Sequence, residues 1–108
     1  MDLYIKQALV PGCFATGLPA REAAVIATSQ RPLPASAFGE PSGVPAWKTI
    51  PSWAVVGMAD QVIPPTELTI MAERARASIT EVDAGHLSMI SHPETVAHVI
   101  EQAVKALS

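Results

Sequence analysis

The sequence predicts an α/β fold with parallel strands, and three observations predict it. Two short runs, Ser52–Gly57 and Ser78–Asp83, have the apolar or β-branched character of strands. Between them, Thr66–Arg76 carries Leu68, Met71, Ala72 and Ala75 at helical spacing. The chain then closes on its clearest helix, Ser91–Leu107. Strands joined by a helix of this length pair in parallel through a right-handed crossover. The expected architecture over this part is therefore βαβα.

Upstream of it the pattern is more broken, because ten prolines divide the chain. Leu3, Tyr4 and Ile5 could begin a short strand, and Pro11-Gly12 is a turn. Ala20–Gln30 reads as a helix opened by Pro19, with Ala23, Ala24, Ile26 and Ala27 as its apolar face. Pro32 stops it, since proline restricts the residue before it and lacks an N–H donor. Arg31–Pro51 is rich in Pro, Gly and Ser and reads as a loop packed by a few anchors such as Phe38 and Trp47.

The later elements have firmer boundaries. Pro51 and Gly57 bracket an apolar strand of the kind buried on both faces of a parallel sheet. Met58–Pro65 is a loop containing Asp60, and Ala84–Ile90 is a loop holding His86. The spacing Ser91-x-x-Glu94 fits a capping box, with Pro93 in the first turn where its missing N–H costs nothing. Val96, Val99, Ile100, Ala103 and Leu107 form one apolar stripe, and Glu101, Gln102 and Lys105 face water. Met58, Met71 and Met89 read as core.

Composition narrows the function classes. Nearly half the residues are apolar and 16% are charged, which opposes intrinsic disorder. Lys and Arg total only seven and are scattered, so no basic stripe exists for nucleic acid to follow. No apolar run approaches the roughly 18 residues of a membrane span, and Met1–Lys6 has no signal-peptide pattern. Cys13 has no internal disulfide partner and reads as a small buried hydrophobe rather than a nucleophile. These features point to a cytoplasmic protein without nucleic-acid or membrane partners.

Two polar residues stand out by position. In open α/β sheets, ligands bind at the carboxyl ends of the strands. Asp60 and His86 each lie a few residues beyond such an end, on adjacent loops of one rim. Singly, each reads more readily as an ordinary loop residue. Together they match a carboxylate that orients an imidazole for acyl transfer. Asp83 is an alternative acid, but it lies too close in sequence to His86 to oppose its ring easily.

The remaining candidates are weaker. His86, His92 and His98 fit no zinc-ligand spacing, and on a helix the last two would diverge by about 120°. No glycine-rich phosphate loop occurs, so no cofactor or metal is expected. No G-x-S-x-G nucleophile turn occurs either. Its nearest approach, Gly39-Glu-Pro-Ser42-Gly43, has the serine one place late and follows no strand.

The stretch Ala46-Trp-Lys-Thr-Ile-Pro-Ser-Trp-Ala-Val-Val-Gly-Met-Ala-Asp60-Gln-Val-Ile-Pro-Pro65 resembles the strand-and-acid segment of small bacterial α/β-fold hydrolases. Met71-Ala-Glu-Arg-Ala75 is similar to the helix that follows there. Glu81-Val-Asp-Ala-Gly-His86-Leu-Ser-Met-Ile-Ser91-His-Pro93 resembles the last strand, the histidine loop and the start of the C-terminal helix. Ala27-Thr-Ser-Gln30-Arg31-Pro32 is like the segment where the chain returns from the cap to the core. The chain departs from the family at Thr16-Gly17, where members commonly carry an acidic residue.

The resemblance, over residues 14 to 107, implies the C-terminal portion of an α/β-hydrolase sheet preceded by a helical cap-like segment. It implies residues 1–45 as the cap-return segment and 46–108 as the C-terminal part of the core. It implies Asp60 as triad acid and His86 as triad base, in the order that the family uses. The nucleophile would then belong to an N-terminal half outside this sequence. The complete protein would hydrolyse a small-molecule ester, amide or related substrate, and the isolated chain would be inactive and prone to self-associate through an exposed sheet edge. The competing expectation is a non-catalytic half-domain that binds a small molecule or a protein.

Overall fold

A computed structural model describes all residues from Met1 to Ser108. The expected parallel pair is formed by β3 (Trp53–Gly57) and β4 (Ser78–Val82), in the register Trp53 opposite Ser78 and Gly57 opposite Val82. α2 (Pro65–Arg74) joins them, with Pro65 in its first turn, and α4 (Pro93–Leu107) closes the chain. β3 packs against both helices. Val56 is the fully buried side chain of this part, and its transfer from water contributes about 1.5–3 kcal/mol. The chain is thus mixed α/β, consistent with part of an α/β-hydrolase fold.

The segment before β3 holds more structure than its sequence announces. β1 (Asp2–Leu3) pairs antiparallel with β2 (Leu33–Pro34), which lies within the stretch expected to be loop. A single π-helical turn, Val10–Phe14, is closed by the Ala15 N–H on the Val10 carbonyl at 2.7 Å. α1 (Ala20–Thr28) lays Ala23 and Ala27 on Val10 and Ala15 to make a small core. Ile5, Phe14, Leu18, Ile26 and Leu87 surround that core, so the histidine loop is part of it.

Several expectations are corrected. α1 ends at Thr28, two residues before Gln30. There the Thr28 and Ser29 hydroxyls donate back to helix carbonyls, and the Gln30 side chain turns away to clamp both backbone groups of Ile5. Phe38 is no anchor, being 75% exposed, whereas Trp47 is half-buried beneath the Arg74 guanidinium. Met58, Met71 and Met89 are all at or near half exposure and are not core. Ala24, Ile100 and Leu107 are exposed as well, so each apolar stripe is narrower than its sequence pattern.

The capping box does not form. The expected loop 84–90 gives way at Ser88 to a short helix, α3 (Ser88–Ser91), so Ser91 is already helical and cannot take the extended cap conformation. His92 occupies the cap position of α4, and the Ser91 hydroxyl bonds its Nδ1 at 2.8 Å. The strands are not buried on both faces either. β4 exposes Ser78, Ile79 and Glu81, and its one strand partner is β3.

Candidate acid–base site

The site begins where β3 and β4 stop. Backbone pairing runs past the strands: the Met58 N–H reaches the Val82 carbonyl at 2.9 Å and the Ala59 N–H reaches the Ala84 carbonyl at 3.0 Å. The two loops leave the sheet stitched together. Gly57 and Gly85 make that approach sterically feasible. A Cβ on Gly57 would lie 2.6 Å from the Gly85 carbonyl oxygen, and one on Gly85 would lie 2.6 Å from the Thr16 carbonyl oxygen. No real Cβ tolerates either distance without backbone movement.

Asp60 sits in the first loop and is 6% exposed. One carboxylate oxygen, Oδ1, accepts the backbone N–H groups of Val62 at 2.7 Å and Ile63 at 3.0 Å. That turn fixes the side chain and leaves Oδ2 pointing across to the second loop. There His86 Nδ1 lies 2.9 Å from it. The two residues singled out from the sequence are therefore hydrogen-bonded.

The electrostatics favour one arrangement of the proton. Burial works against the charged form of Asp60, but the hydrogen bond from His86 and the N–H groups of Ile63 and Val62 outweigh it, with attraction to a charged His86 adding a little. Its carboxyl titrates below the ordinary carboxylate value. An ionised carboxylate can only accept, so His86 Nδ1 must donate. In the neutral ring Nε2 is then a lone pair, free to act as a base.

Other contacts hold His86 in place. The Phe14 ring packs on the imidazole with centroids 5.2 Å apart and planes tilted by 48°. The Cys13 thiol donates to the Gln61 carbonyl at 3.2 Å, tying the same turn to the Asp60 loop. Neither role was legible in the sequence, because Phe14 and Cys13 lie far from both loops along the chain and match no motif. Asp60, His86, Ser88 and Leu68 share a cavity of about 260 Å³ beside β3.

The weaker candidates are dispersed. Asp83 is exposed and its carboxylate has no hydrogen-bond partner. Ser42 bonds only the Gly43 carbonyl, in an exposed bend. His92 is engaged with Ser91, and no three His, Cys, Asp or Glu side chains converge to hold a metal. The partner of His86 within the chain is Asp60; no serine, threonine or cysteine side chain hydrogen-bonds its ring.

Comparison with protein-family models matches residues 3–99 to the one described as the alpha/beta hydrolase family. Neither a curated protein nor a solved structure matches the chain. No helix is long and apolar enough to cross a membrane.

Proposed function

Because the chain belongs to the alpha/beta hydrolase family, we propose that Asp60 and His86 are the acid and base of a catalytic triad. The observation that carries this reading is the 2.9 Å bond between them at the carboxyl rim of β3 and β4. Asp60 stays ionised throughout, holds the ring with its proton on Nδ1, and stabilises the imidazolium when it forms. His86 Nε2 takes the proton of an attacking hydroxyl or thiol, then returns it to the leaving group of an ester or amide. The nucleophile and the oxyanion donors would be presented to Nε2 by polypeptide other than the residues surrounding His86 here. The substrate is a small molecule.

Turnover of an activated ester tests the proposal. The chain should show none attributable to a triad, since no serine, threonine or cysteine side chain hydrogen-bonds the His86 ring. Joined by the polypeptide encoded directly upstream, it should turn the ester over, and Asp60→Asn should lower that rate by about 10⁴-fold. Turnover by the chain alone that disappears in His86→Ala would overturn the assignment of an outside nucleophile. It would send the search to Ser88, Ser91 or Cys13.

A further inference from the structure

The opposite rim of the sheet carries a second cluster that the acid–base chemistry does not use. Trp47 and Lys48 lie in the short helical turn Ala46–Lys48 before β3, and Arg74 and Arg76 lie at the end of α2 just before β4. Because Trp53 pairs with Ser78, both approaches meet at the amino end of the sheet. Five-residue strands put this rim about 15 Å from the Asp60 rim. These four residues line a recess of about 350 Å³.

Three features of the recess point to an anion. Lys48, Arg74 and Arg76 supply three of the seven Lys and Arg residues in a chain of net charge −3. None is within 4.0 Å of a carboxylate, the chain's ion pair being His86 with Asp60. The Arg74 guanidinium is held over the Trp47 ring, 5.7 Å from its centroid, so part of its freedom is lost before any ligand arrives.

Arg76 itself adds to these. Helix C-termini attract cations, which could explain arginines there without any ligand. Here, however, the last carbonyls are already satisfied by backbone: Ala77 N–H reaches Ala72 O and Arg76 N–H reaches Glu73 O. That is a Schellman ending, whose left-handed residue is usually glycine. Arg76 occupies it at φ 54°, a conformation that costs stability for any residue with a Cβ. A side chain is thus kept where glycine would fold better, and that side chain completes the cationic recess. The helix end explains neither Lys48 nor Trp47, which arrive from another element.

We propose that Trp47, Lys48, Arg74 and Arg76 form a binding site for a small, multiply charged phosphate-class anion. Arginine forks match such oxyanions in geometry, and lysine adds a point charge. Inorganic pyrophosphate is a suitable probe, with the Trp47 indole N–H resonance as reporter and Trp47→Phe for its assignment. At low salt the resonance should shift saturably, and the affinity should fall as salt is added. Lys48→Ala and Arg76→Gly should each weaken binding by about tenfold. Arg76→Gly should also melt at a temperature equal to or above the parent's, so its loss of binding cannot be ascribed to misfolding. A response that sodium chloride reproduces at equal ionic strength would overturn the site, as would affinity unchanged in both variants. So would an Arg76→Gly variant less stable than the parent, because Arg76 would then be structural.

Discussion

Asp60 does two jobs with two oxygens, and each has its own consequence. Oδ1 satisfies two loop N–H groups, and Oδ2 sets the proton of His86. In Asp60→Asn the amide oxygen can keep the first job, but the amide N–H₂ can serve the second only as a donor. His86 should therefore switch to the tautomer protonated at Nε2, visible in the ¹⁵N shifts of the imidazole; an unchanged tautomer would mean that Asp60 does not control the ring. Asp60→Ala abandons both jobs and should cost about 1–3 kcal/mol in all, measured by chemical denaturation, because water can reach the N–H of exposed Val62 more readily than that of half-buried Ile63. The acid dependence follows from the lowered carboxyl titration of Asp60. The unfolded carboxyl binds a proton more readily than the folded one, so Asp60 stabilises the fold in full above the ordinary carboxylate range. That contribution is lost as pH falls through the folded value. The stability gap between the parent and Asp60→Asn should narrow below about pH 4, as the folded carboxyl takes up its proton.

Between β3 and β4 the decisive residues are the smallest ones. Gly57 and Gly85 let the Asp60 loop, the His86 loop and the turn at Thr16 lie against each other. Their Cβ positions would meet backbone carbonyl oxygens, which cannot rotate away as a flexible side chain could. Gly57→Ala and Gly85→Ala should each cost at least the 1–3 kcal/mol, roughly, of an overpacked contact. Both should also lengthen or break the Asp60–His86 bond, read from the His86 Nδ1–H resonance. Gly43 has nothing within 4 Å of its Cβ position, and Gly43→Ala should stay within about 0.5 kcal/mol of the parent. Equal effects at all three positions would contradict this account.

The molecule as a whole is loosely covered. Only 12 of 108 residues are buried, and the radius of gyration of 15.5 Å exceeds the roughly 13 Å of a compact domain this long. Ile100, Val104 and Leu107 lie at 59–60% exposure along α4, and both edges of the β3–β4 pair are open. A two-stranded sheet is marginal in water, and an open edge offers unpaired N–H and C=O groups to another chain. The purified chain is expected to self-associate through these edges, with light scattering that rises with concentration. A monomer that stays monodisperse as its concentration is raised would contradict this.

Local chemistry made much of this legible in advance. Apolar runs, helical spacing and proline boundaries placed β3, α2, β4 and α4 to within one or two residues, because strand and helix periods are properties of consecutive residues. Asp60 and His86 were legible for a related reason: parallel strands joined by a helix bring successive carboxyl ends to one rim whatever the side chains are. What consecutive residues could not specify was contact between distant ones. Phe14 on His86, Thr16 under Gly85, Gln30 around Ile5 and the pairing of β1 with β2 leave no periodic trace. Burial escaped for the same reason. Met58, Met71 and Met89 have core chemistry, but whether a side chain is covered depends on what the rest of the fold sets against it. The Ser91 cap failed because the preceding turn had already become helix, which a four-residue motif does not sense.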